Sequence, residues 1–331
     1  MKRILVASAV SAAVLLCPPV SASVKVRTEE EFDRVVSYYY QNPRPQDAIE
    51  ALEYLLKSDF LKKQFARDTH TLEMLACFFG RLAENDPKLL RTYEKLYGKA
   101  GREGQAFLVM TFGVFRDVRA EEFLKAKLAK TNDPRIAGVL AKPYTGRAGI
   151  IRDVESPQHM DLLWVEFLLT GDKEPVVKIV DVLAWKDVFA ARLLARLTAE
   201  QSPEDKVRLK DLLARGLGLD VDVDQARIPF SGDMDILFAS LLNDPRRPPA
   251  QNQALSELSQ ILGFSDDEVR VMATKGAANW SLGSNARQHP KVMEYCLQEM
   301  RTRKDKAAVE LQSITGLRVI SEGGAQQTGN E

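Results

Sequence analysis

The chain has 331 residues, with 46 Lys and Arg against 46 Asp and Glu, so its charges balance at neutral pH. That balance excludes the basic excess by which nucleic-acid binders displace counterions from phosphates. A 45% hydrophobic content excludes general disorder, and three His with three Cys leave little material for zinc chemistry or a disulfide-rich scaffold.

The first segment reads as an address. Lys2 and Arg3 precede an apolar run from Ile4 to Cys17, then Pro18 and Pro19, then the small residues of Val20-Ser21-Ala22. This is the order of a secretory signal peptide over residues 1–22, with the mature chain starting at Ser23 and exported to the periplasm or beyond. The run is shorter than the ~20 apolar residues a bilayer span needs. Leu16 stands where lipidation of Cys17 requires a small residue, which argues against a lipoprotein. Cleavage would remove Lys2 and Arg3, leaving a net charge of about −2, and two cysteines, Cys77 and Cys296. Those two either bridge in an oxidising compartment or remain separately buried thiols on apolar helix faces.

From residue 28 onward the signals are helical. Helices are expected near 29–41, 45–57, 59–67, 70–84, 86–98, 102–115, 118–130, 157–170, 172–184, 186–199, 203–216, 232–243, 249–262, 266–282 and 290–304. Thr28 with Glu31 and Ser265 with Glu268 form capping boxes. Ser156-Pro157 and Ser202-Pro203 pair an N-cap with a proline, and Gly171-Asp172 pairs a left-handed stop with a new start. Asn-Asp-Pro recurs at 85–87, 132–134 and 243–245. It suits a tight corner in which Asp caps the next helix and Pro takes its first turn. Sustained period-2 alternation and Asn-Gly or Asp-Gly turns are missing, so the expected class is all-α, without a significant β-sheet.

Consecutive helices with short corners resemble the HEAT, armadillo and tetratricopeptide class of helical-hairpin proteins. The resemblance implies stacked antiparallel pairs, an irregular α-solenoid or a compact helical domain, with no activity attached. The first two Asn-Asp-Pro corners are 47 residues apart and the next gap is 111, so any repeat is irregular. Trp280-Ser281-Leu282-Gly283 falls one residue short of the tetratricopeptide Trp-x-x-Leu-Gly pattern. The expected lobes are 23–142 and 157–304, joined by a loop at 143–156, with a break near 216–232. A disordered tail is expected at 321–331.

Four segments carry candidate chemistry, each with a plainer reading beside it. Asp220, Asp222 and Asp224, with Asp233 and Asp235 close behind, begin like a calcium loop. The loop then fails at Gln225 and Ser231, and the plain reading is an acidic surface loop with Val221 and Val223 turned inward. Glu166 is the lone charge in Leu162–Leu169 and is either a raised-pKa acid or base, or half of an ion pair, with Lys173 as a partner. Asn279, Trp280, Ser284 and Asn285 either line a ligand pocket or serve close helix packing. Tyr38-Tyr39-Tyr40 offers an aromatic platform, or ordinary partial exposure.

The chain lacks a Gly-x-Ser-x-Gly elbow, His-Glu-x-x-His, a phosphate-binding Gly-rich loop and Cys-x-x-Cys. The leading expectation is an exported, non-enzymatic helical protein that binds a protein or peptide. The rivals are a cell-envelope enzyme or small-ligand receptor with an inter-lobe pocket involving Glu166 or Trp280, and a calcium-stabilised module.

Overall fold

In the computed structural model, residues 25–316 are described apart from 68, 85, 115–117, 129–152, 200, 226–231, 243 and 245. The expected signal peptide with Cys17, the Asn-Asp-Pro corner at 132–134, most of the 143–156 loop and the 321–331 tail lie outside the described residues. What is described is all-α. In chain order the helices are α1 (Glu29–Ser37), α2 (Pro45–Lys57), α3 (Asp59–Arg67), α4 (His70–Glu84), α5 (Pro87–Lys99), α6 (Arg102–Val114), α7 (Val118–Leu128), α8 (Pro157–Thr170), α9 (Lys173–Leu183), α10 (Val188–Thr198), α11 (Pro203–Leu217), α12 (Met234–Leu242), α13 (Pro249–Leu262), α14 (Asp266–Gln288), α15 (Pro290–Thr302) and α16 (Lys306–Thr315). Helices pack against one another throughout, and some of the most extensive contacts join helices two apart: α4 with α6, α11 with α13, α12 with α14.

The boundaries follow local chemistry. Thr28 accepts from the Glu31 N–H while Glu31 reaches back to the Thr28 N–H, and Ser265 with Glu268 repeats the arrangement at α14. Ser202 caps α11 through the Asp205 N–H at 3.1 Å. Gly171, at φ 68°, ends α8 in the left-handed region that glycine enters without steric penalty. At the first Asn-Asp-Pro corner, Asp86 accepts from the Lys88 N–H at 2.8 Å and Pro87 opens α5.

At the third corner Asp244 folds onto the Arg246 N–H at 2.9 Å as a turn rather than capping a helix at once, and α13 starts at Pro249, as expected. Pro248 excludes the helical region for Arg247, which keeps the turn and the helix apart. Two further differences stand at the ends. The first helix stops at Ser37 and continues as a short 3-10 turn, Tyr39–Gln41. Beyond the last expected helix lies α16, started by Asp305 accepting from the Ala307 N–H and stopped by Gly316 at φ 69°.

The chain divides into two compact units, Met1–Arg152 with Asp161–Asp172, and Asp153–Met160 with Lys173–Glu331. Most of α8 therefore belongs to the first unit. Its Phe167 ring lies 4.9 Å from that of Tyr40, and its Asp161 carboxylate pairs with His70 Nε2 at 2.9 Å. The second unit has a core of Phe189, Leu193, Leu212, Leu213, Phe238, Leu255 and Leu258, among others, from α10 to α13. Each such side chain contributes about 1.5–3 kcal/mol on burial.

Candidate functional site

The second unit buries a cluster of charge beside that core. Lys275 of α14 has no exposed surface; its ammonium contacts the carboxylate of Asp233 and lies 2.8 Å from Asp235 Oδ2. Asp233 also receives Lys306 of α16 at 2.7 Å, and its backbone N–H donates to Glu310 Oε1 at 3.2 Å.

The carboxylates also fasten two helix starts to each other. Asp187, ahead of α10, accepts from Ala190 N–H at 2.7 Å in its own helix and from Met234 N–H at 2.6 Å in α12. Asp235, in the first turn of α12, accepts from Val188 and Phe189 N–H of α10 at 3.0 and 2.7 Å. Asp233 caps α12 through Ile236 N–H at 3.2 Å. The orphan donors of each helix start are thus satisfied partly by the other's carboxylate, where the helix dipole also favours negative charge.

Electrostatics follow from this crowding. Burial draws Lys275 down, but its hydrogen bonds to Asp233 and Asp235 outweigh that and hold the ammonium above the usual lysine range. Burial, reinforced by the Asp235 and Asp233 charges, pushes Asp187 up to about 6. Burial and the Asp233 charge push Glu310 upward as well. Among the described residues, Asp187, Asp233 and Asp235 place carboxylate oxygens within 4.8 Å of one another, close enough to hold a cation. The Lys275 ammonium already contacts two of them. Chemically, the arrangement neutralises buried carboxylates and locks four helices, α10, α12, α14 and α16.

Sequence reasoning noted Asp233 and Asp235 only as followers of the acidic loop, and missed Asp187, Lys275, Lys306 and Glu310. A readable signal existed in Lys275, the only charge between Arg270 and Arg287.

The residues singled out from sequence lie elsewhere. Asp220 faces Lys210 at 3.4 Å and Asp224 faces Lys206 at 3.1 Å, both of α11. Asp222 folds back on the N–H groups of Asp224 and Gln225. Val221 is buried and Val223 packs against the core. Glu166 pairs with Arg81 of α4 through two bonds of 3.3 Å, in the first unit, while Lys173 bonds Glu299 at 2.7 Å. The sequence distance to Arg81, 85 residues, is what hid that partner.

On α14, Asn285 donates to Ser281 O and Ser284 accepts from Gln288, both within the helix. The Asn279 Oδ1 is buried and accepts no hydrogen bond. Trp280 is 48% exposed. Tyr39 and Tyr40 are buried, so the tyrosine platform does not exist. The 3-10 turn directs Tyr39 edge-on to Phe78 at 5.7 Å and Tyr40 onto Phe167. Cys77 and Cys296 are buried and not disulfide-bonded, one in each unit. Among the described residues, no helix is long and apolar enough to cross a membrane.

No protein-family model matches the chain, and comparisons with curated proteins and with solved structures find no significant match.

Proposed function

We propose that the chain is an exported, non-enzymatic protein of helical-hairpin organisation that uses the outer face of α14 to bind a protein or peptide. One observation carries this reading. Val269 and Trp280 are 49% and 48% exposed on the same helix, eleven residues apart, which is close to three turns. They therefore share a face, with exposed Ala273 between them. One turn either side of Trp280 stand Gly276, Ala277, Gly283 and Ser284, none bulky enough to cover an indole.

Exposed tryptophan with small neighbours suits an interface anchor, because Trp contributes large contact area at low entropic cost. A stripe of this length, about 16 Å at 1.5 Å per residue, fits an amphipathic peptide laid along the helix. The buried charges support the same reading, since each is engaged in fastening helices.

The test is cross-linking and pull-down from the native extract with wild type, Trp280→Ala, and Val207→Ser as an exposed control on α11. Loss of the captured partner in Trp280→Ala alone, at an unchanged thermal midpoint, is expected. Equal capture by all three refutes the assignment, as does turnover of a cell-envelope substrate by the purified chain.

A further inference from the structure

The exposed stripe of α14 carries opposite charges at its two ends as well as apolar surface between them. Counted at about 100° per residue, Asp266, Val269, Ala273, Ser284 and Arg287 all fall within about 40° of the Trp280 direction. Asp266 and Arg287 are exposed, and neither side chain makes an ion pair or hydrogen bond among the described residues. Their charged neighbours at the start of the helix are committed: Arg270 pairs with Asp267 at 3.0 Å, and Glu268 takes Arg192 of α10 at 2.7 Å. Along one chain, Asp266 and Arg287 stand about 32 Å apart at 1.5 Å per residue and cannot reach each other.

The stripe is arranged evenly about one point. Trp280 and Ala273 lie equally far on either side of the midpoint between Gly276 and Ala277. So do Val269 and Ser284, and so do Asp266 and Arg287. Laid antiparallel on a second α14 about a two-fold axis through that midpoint, each residue meets its counterpart in the other copy. Trp280 then faces Ala273, Val269 faces Ser284, and each Asp266 faces an Arg287. Because long side chains on a helix lean toward its N-terminus, each indole lies between Ala273 and Ala277 of the opposite helix, whose methyl groups leave it room. A parallel pairing would instead set Asp266 on Asp266 and Arg287 on Arg287.

Taking the outer face of α14 as the docking surface proposed above, we infer that its occupant is a second copy of this chain, joined in an antiparallel two-fold dimer through α14. The area sets the strength. A stripe about 32 Å long and about 10 Å wide offers on the order of 300 Å² per copy, against about 800 Å² per partner in a standard stable interface. The dimer is therefore weak, forming at roughly 100 μM and dissociating at a few micromolar. The two exposed ion pairs add little affinity and fix the orientation.

The test is sedimentation equilibrium of the full chain from about 5 to about 300 μM at low salt, where exposed pairs are least screened. Wild type is expected to pass from monomer to dimer across that range, and Trp280→Ala to dimerise at least about tenfold more weakly. Asp266→Arg and Arg287→Asp each set like charges together at both ends of a homodimer, and each is expected to dimerise several-fold more weakly than wild type. Mixed one to one, these two variants regain both opposite pairs, and the mixture is expected to dimerise as tightly as wild type. An unchanged thermal midpoint in each variant ties the losses to the contact rather than to the fold. A wild type that stays monomeric throughout overturns the dimer, whereas the docking face itself stands or falls with the Trp280→Ala pull-down. Dimerisation that Trp280→Ala leaves unchanged overturns it too, as does a mixture no tighter than its two components, since the copies then meet elsewhere or in another register.

Discussion

Replacing Lys275 with methionine tests the buried cluster directly. The side chains are similar in length, so little cavity results, and the change is chiefly the loss of one ammonium. Lys275 has no exposed surface, and the side chains of Asp233 and Asp235 are 1% and 0% exposed. Removing one partner of such a group leaves carboxylates buried with reduced compensation, a loss of about 3–5 kcal/mol. Lys306 remains on Asp233, but Asp235 keeps only the N–H groups of Val188 and Phe189. At a urea dependence of about 3 kcal/mol per molar, the unfolding midpoint should fall by roughly 1–1.7 M with the slope unchanged.

The deficit comes from two carboxylates left buried with reduced compensation. Adding Asp233→Asn and Asp235→Asn should recover only part of it. An amide oxygen replaces one acceptor, whereas Asp235 uses both oxygens toward α10. Circular dichroism against urea measures all of these variants. A midpoint shift below about 0.3 M for Lys275→Met would refute the reasoning, since that corresponds to under about 1 kcal/mol.

Two further outcomes are expected. Asp187, held near 6 by burial and its carboxylate neighbours, contributes stability that is present below 3.8 and lost as pH rises through about 6. Asp187→Asn should therefore flatten the gain in urea midpoint between pH 6 and 4, and an unaltered profile would contradict the assignment. Gly276→Ala should destabilise by about 1–3 kcal/mol, although alanine is the better helix former, because the new Cβ would run into the Ala239 Cβ where α12 meets α14. A raised thermal midpoint would show that these helices can part without strain.

Local chemistry was the legible part of this protein. The all-α class, the capping boxes at Thr28 and Ser265, the Ser202-Pro203 start and the Gly171 stop all rest on interactions within a few residues, which spacing alone specifies. The inward turn of Val221 in the acidic loop was legible for the same reason, since alternation along an extended segment sends neighbours to opposite sides. The third Asn-Asp-Pro corner shows how far a motif reaches. Its Asp244 closes a turn onto the Arg246 N–H, and Pro248 holds the next helix off until Pro249, the start expected for it.

Tertiary structure decided everything that depended on residues far apart in the chain. Glu166 found Arg81 across 85 positions rather than its near neighbour Lys173, and the tyrosine run closed inward because Phe78 and Phe167 arrived to cover it. The charged cluster draws Asp187, Asp233, Asp235, Lys275, Lys306 and Glu310 from four helices and the segments before them. No local pattern marks these residues as a set, because what unites them is a shared loss of water. That loss is a property of packing, and it turned Lys275, an ordinary charge in the sequence, into the cation on which two buried carboxylates depend.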